Sequence, residues 1–143
     1  MLQATLIVAI LLLGVAGPAW PGSAHWPLKG LAVLLATAGA VLMAKSARSL
    51  GAAFTPFPRP TETGELLETG PYAIVRHPVY SGGVLFFVGI SLALSPWALI
   101  GAAGLALLWA LKARVEERFL VERYPGYSSY RERTRYRLVP FVY

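Results

Sequence analysis

The sequence predicts an all-α integral membrane protein of about four transmembrane helices, the last two folded into a tight C-terminal hairpin. Three observations carry this expectation. Mean hydropathy is +0.56, and 56% hydrophobic against 14% charged residues is too apolar a balance for a soluble chain of 143 residues. No Lys, Arg, Asp or Glu precedes Lys29. From Pro78 to Leu111, 34 residues pass without a formal charge; as one helix they would measure ~51 Å against a hydrocarbon core of ~30 Å. That run must turn back.

The first apolar helix reads as Leu2 to Gly17. A cleaved signal peptide competes, since Ala16, Gly17 and Ala19 are small, but the start lacks a basic segment. A second run, Gly30 to Ala44, lies between Lys29 and Lys45, whose stems can snorkel to the two interfaces. Its Ala36, Ala40 and Ala44, like Ala102, Ala106 and Ala110 later, form rows of small residues that let helices approach closely in lipid. Between the second and third spans, Pro56, Pro58 and Pro60 argue for an extended loop over Gly51 to Thr69. Pro78 suits a helix start, and Ser95 with Pro96 supplies the break: Ser95 as N-cap, Pro96 as first residue of a returning helix that runs to about Tyr124. The organisation expected is an N-terminal helix pair, residues 1–50, followed by a loop, hairpin and basic aromatic tail, residues 51–143, as one integrated domain.

Charge sets the expected orientation. Of 13 basic residues, four lie in the loop between the second and third spans and eight in the tail, with only Lys29 near the first loop. The positive-inside rule places loop, tail and both termini in the cytoplasm, as in a bacterial-type inner membrane. These basic residues flank spans and suit anionic membrane lipids, so nucleic acid is not expected as a partner. There is no cysteine, which excludes thiol catalysis and thiolate metal sites. The two histidines, His25 and His77, fall on opposite sides of this topology, and no metal site is expected.

Two clusters carry chemistry. Pro78 pushes His77 out of the helical region, so His77 marks a bend with a helix starting after it. The free N–H groups of that helix, with Arg76, would suit a carboxylate or phosphate; equally, Arg76 could anchor to lipid headgroups while His77 caps the helix. The second cluster is Glu116 and Glu117. Adjacent helical residues diverge by ~100°, so at most one should face a pocket squarely, the other pairing with Lys112 or Arg114. A solvated helix end laced with salt bridges is the plainer reading. The hairpin nevertheless returns both acids toward Arg76 and His77. Beyond them Tyr124, Pro125, Gly126, Tyr127 and Tyr130 end the helix and supply rings with hydroxyl tips.

The order GPYAIVRHPVYSGG, an apolar hairpin, EERFL, YPGYSSYRER and a closing LVP resembles the isoprenylcysteine carboxyl methyltransferase and phospholipid N-methyltransferase family of integral membrane enzymes. The resemblance covers roughly residues 51 to 140. It implies S-adenosyl-L-methionine as cofactor, held at the cytoplasmic ends of the helices without a Rossmann domain. By matching position it assigns Tyr72, Val75, Arg76, His77, Pro78 and Tyr80 to a first cofactor-binding element, Glu116 and Glu117 to a second, and Tyr127 and Tyr130 to the tail, with Arg76 and His77 as the catalytic pair. The implied acceptor is a lipophilic small molecule or a lipidated substrate. A prenylcysteine-like carboxylate is favoured, with a phospholipid amine or a small thiol as alternatives. An ionised carboxylate, with an unperturbed pKa of about 3.5, needs no general base; an amine or thiol would need one, and His77 is the candidate. A non-catalytic membrane protein that binds anionic lipid or a partner is the competing class. The dense basic run Arg131 to Arg137 departs from the family pattern.

Overall fold

A computed structural model describes residues 1–51 and 66–140. Its elements are α1 (Leu2–Ala16), α2 (Gly22–Leu50), a 3₁₀ turn (Gly70–Ala73), α3 (Pro78–Leu94), α4 (Ala98–Arg123) and the short α5 (Tyr127–Arg133); no strand occurs among the described residues. The expected proline loop falls mostly on residues 52–65, outside the described residues. Two helices, α2 and α4, are long and apolar enough to cross a membrane, and α1 and α3 are shorter apolar helices. Val33 and Leu34 on α2 and Ile100 and Leu107 on α4 expose most or about half of their apolar side chains, a surface that suits lipid rather than water. The chain is a membrane-associated, helical protein.

The helix boundaries correct the sequence reading in three places. The second helix extends from Gly22 to Leu50, beyond the expected Gly30 to Ala44. Pro27 lies inside it, past the first turn, where it removes the bond to the Ser23 carbonyl, and Ser46 and Ser49 return their hydroxyls to the carbonyls of Leu42 and Lys45. Gly51, at φ +54°, then stops it in the left-handed conformation that favours glycine. The returning helix begins at Ala98 rather than Pro96. Ser95 still caps: its Oγ accepts from the Trp97 N–H at 3.1 Å, and a tight turn of i→i−3 bonds leads into the helix. At the far end α4 stops at Arg123, close to the expected Tyr124, and Tyr127–Arg133 form a separate short helix in a tail for which no helix was expected.

The contacts divide into two compact units, each drawing on both halves of the chain. The first comprises Met1–Val41 and Gly82–Leu108. Within it α2 and α3 meet backbone to backbone: a Cβ on Gly39 would strike Gly82 and Phe86, and one on Gly89 would strike Ala32 and Ala36. Small residues drive this seam, as in other helix pairs in lipid, where dispersion replaces the hydrophobic effect. Of the expected alanine row, Ala36 takes part, joined by Gly39 and the α3 glycines. Helix α1 seats Ile10 on Gly101, and Gly14 meets Leu94. Ser91 donates to the Ala98 carbonyl and Ser95 to that of Leu13, so the turn's polar groups are satisfied internally.

The second unit comprises Leu42–Ser81 and Trp109–Tyr143. Its core includes Tyr72, Val75, Trp109, Ala113, Tyr127, Tyr130 and Leu138. On α4, Trp109, Ala113 and Glu117 follow the four-residue spacing of one buried face.

Candidate functional site

The site lies wholly within the second unit and begins at the Gly70 turn. Gly70 sits at φ +61°, a conformation that a side chain would strain, and it starts the 3₁₀ turn that buries Tyr72. The chain then extends through Val75, Arg76 and His77 before α3 starts at Pro78, as the proline predicts. Tyr72, Val75, Arg76, His77 and Pro78 are all buried, and Tyr80 is half-buried.

Arg76 makes three side-chain hydrogen bonds within its own chain. Its Nε donates to Glu117 Oε1 at 2.7 Å, and its Nη1 donates to the carbonyls of Thr134 at 2.8 Å and Arg135 at 2.6 Å. Its backbone N–H bonds the Tyr136 carbonyl, and that of His77 bonds the Arg137 carbonyl, both at 3.0 Å. Ser81 Oγ reaches the carbonyl of Leu138. The segment after α5 thus lies against the bend at residues 76–77. The expected free guanidinium, ready for a ligand's carboxylate, is instead a buried clamp on residues 134–135.

Both glutamates approach the histidine. His77 Nδ1 lies 3.7 Å from Glu116 Oε2 and Nε2 lies 3.4 Å from Glu117 Oε1. This corrects the expectation that only one of the pair would face inward. The imidazole sits between the two carboxylates and presents a different nitrogen to each, which absorbs their angular divergence. Glu117 is buried and also accepts from Arg137 Nη2 at 2.9 Å, so two guanidinium groups share it. Such charge-assisted bonds contribute roughly 1.5–3 kcal/mol each. Glu116 remains about one quarter exposed (24%) and accepts from the Tyr80 hydroxyl at 3.0 Å. Neither acid belongs to a solvated helix end.

Aromatic rings wall the cluster. His77, Tyr80 and Trp109 form a continuous stack, with centroid spacings of 5.8 and 6.0 Å and nearly parallel planes; Lys112 Nζ lies over the Tyr80 ring. Tyr130 donates to the Tyr72 carbonyl at 2.7 Å, and the Tyr72 hydroxyl reaches the Ser46 carbonyl on α2. Burial, followed by the nearby charge of Glu117, pushes the Tyr127 phenol above its ordinary range; burial does the same to Tyr72 and Tyr130. All three are neutral hydroxyls at physiological pH. Among the buried polar atoms here that lack a hydrogen bond are His77 Nε2 and the Tyr127 hydroxyl, and a buried orphan of this kind commonly marks a place for a ligand or water.

All ten residues singled out from the sequence therefore fall in this unit. Sequence reasoning missed Thr134, Arg137, Ser81 and Trp109. Arg137 was legible only as one more arginine in a basic run, and Trp109 as part of an apolar span. No group of three or more metal-ligating side chains occurs among the described residues.

An apolar helical chain thus carries a buried Arg, His and Glu cluster beside the start of α3. The phospholipid methyltransferase family matches residues 28–126, and the chain belongs to that family. Residues 134–138 lie beyond the match. The chain is also similar to the cobalt-zinc-cadmium resistance protein CzcN of Cupriavidus metallidurans, 32% identical over 71 residues, which is 48% of this chain and 33% of that protein. It thus spans about a third of the length of that relative.

Proposed function

We propose that this protein is an S-adenosylmethionine-dependent methyltransferase that acts on an amphiphilic acceptor at the membrane interface, with four spans and both termini in the cytoplasm. The observation that supports it most is the convergence of the RHP bend and both glutamates on one buried cluster in which His77 Nε2 and the Tyr127 hydroxyl make no hydrogen bond. The side chains suit the donor in kind. Glu116, partly exposed, would hold a cationic or hydroxylated part of it; His77 Nε2 and the Tyr127 hydroxyl would hydrogen-bond it; and the His77, Tyr80 and Trp109 rings offer flat apolar walls. Arg76 acts one step back, fixing Glu117 and the tail. When bound, the donor supplies an electrophilic methyl group on a sulfonium. The chain's part is to align the acceptor and exclude water, which is where much of the rate of an in-line displacement originates.

A prenylcysteine-like carboxylate is the favoured acceptor. The exposed Arg131 and Arg135 beside the site suit an anionic head, and an ionised carboxylate needs no base, leaving His77 to position. A phospholipid amine or small thiol would draw on His77 for deprotonation. One observation favours a different class: Arg76 and Glu117 pair with each other and with the tail, as in a purely structural cluster. Calorimetry of detergent-solubilised protein with S-adenosylhomocysteine separates the two. Binding is expected, and its absence would leave the non-catalytic reading. Labelled methyl transfer into lipid extracts then identifies the acceptor. With a carboxylate acceptor, saturating donor should restore the His77→Gln rate without new pH dependence between about 6 and 8; an unrescued loss of ~100-fold or more would assign His77 as a base.

A further inference from the structure

His77 Nε2 and the Tyr127 hydroxyl are both covered. A ligand reaching His77 Nε2 or the Tyr127 hydroxyl must displace part of the wall, and the walls are unequal. Those on α3 and α4 are regular helix, with their backbone bonds made internally. Residues 134–138, which lie against the bend at residues 76–77, are outside any helix. This segment is held through its carbonyls by Arg76, His77 and Ser81, through the Thr134 hydroxyl on the Ala73 carbonyl, through the buried Thr134 and Leu138, and through the ion pair of Arg137 with Glu117. Of the two guanidinium groups on Glu117, that of Arg76 is 5% exposed and that of Arg137 is 21% exposed. Breaking the outer pair leaves Glu117 still neutralised by Arg76. Breaking the inner one would strand a buried charge, which is far more costly. Local opening follows the path with the fewest buried contacts.

We propose that residues 134–138 are a strap that opens to admit the methyl donor and recloses, with the Arg137–Glu117 ion pair as its latch. The proposal rests on the methyltransferase reading for the identity of what enters, not for the opening itself. Arg137 is then a positioning residue: it holds Glu117 and closes the tail without touching the reacting atoms.

Two measurements test it on the full-length protein in detergent. The first is amide hydrogen exchange without ligand. The Arg76 and His77 amides, bonded to strap carbonyls, should exchange faster than those in the first half of α4, and Arg137→Ala should accelerate them by roughly ten- to hundredfold while leaving α4 unchanged. Exchange at 76 and 77 that matches α4, or that the substitution leaves untouched, would overturn the strap. The second is association of S-adenosylhomocysteine by stopped flow. A more open population binds faster, so Arg137→Ala should raise both association and dissociation rates, with Arg137→Lys between it and wild type. Unchanged or slower association would show a merely structural arginine and defeat the proposal. If wild type binds no S-adenosylhomocysteine, the donor reading fails and exchange alone decides the strap. Ser81→Ala, which loses the bond to the Leu138 carbonyl together with a local one to the His77 carbonyl, carries the same tests if Arg137→Ala does not fold.

Discussion

Replacement of Arg76 by Ala should act first on stability and only through it on ligand binding. Three side-chain bonds are lost: one charge-assisted to Glu117 and two to the Thr134 and Arg135 carbonyls. Summing them at ~1.5–3 kcal/mol each would overstate the loss, because Glu117 keeps Arg137 as a partner. The cost should fall in the range for a broken buried ion pair, ~3–5 kcal/mol, or roughly 10 to 20 °C in the apparent unfolding temperature of a chain this size. Arg76→Lys should rescue little, since one ammonium cannot span a carboxylate and two carbonyls with the geometry of a planar fork. Thermal unfolding of the purified protein, followed by tryptophan fluorescence and far-ultraviolet circular dichroism, reads the effect directly. An alanine variant that unfolds within ~2 °C of wild type, or a lysine variant indistinguishable from it, would refute the assignment of Arg76 as a buried clamp.

The two glutamates should separate cleanly: Glu117→Gln leaves two guanidinium groups without their shared anion and should cost ~3–5 kcal/mol, whereas Glu116→Gln should cost ~1 kcal/mol or less and act mainly on S-adenosylhomocysteine affinity. Equal melting temperatures for the two would contradict the geometry. Gly89→Val drives a side chain into the backbone of α2 at Ala32 and Ala36 and should cost at least ~1–3 kcal/mol; Gly30→Val, which meets nothing, is its control, and parallel melts compare them. For topology, single cysteines at Ser49 and Ser128 should resist an impermeant thiol reagent in intact cells while one at Ser23 reacts, and labelling of Ser128 would reverse the orientation.

Much of the scaffold was legible because proline and charge are local signals. Pro78 lacks an N–H and fixes its own φ, so the start of α3 could be placed to the residue. The length of the charge-free run forced a hairpin, and the hairpin brought Glu116 and Glu117 back toward Arg76 and His77. Where the reading failed, the determinant was not local. Lys29 and Lys45 looked like helix boundaries, yet a lysine can sit inside a helix while its stem reaches the interface. Helix α5 is only seven residues long, too short for periodicity to reveal. The tail's return to Arg76 runs through backbone carbonyls, which every residue owns and no sequence motif records. For that reason Arg76 looked free when it was already occupied.

The dependence of the RHP bend on the tail also imposes an order on biosynthesis. Arg76 and His77 leave the ribosome some sixty residues before the carbonyls that receive their N–H groups, since those acceptors lie at Tyr136 and Arg137. Glu117 likewise emerges before Arg137. Until residues 134–138 are made, the nascent chain therefore carries an incomplete polar cluster beside freshly inserted apolar helices. A stop codon or a fusion junction placed between α5 and Leu138 would remove that segment while leaving every apolar helix intact. The expected product is inserted but not finished, a substrate for membrane quality control rather than a shortened working protein.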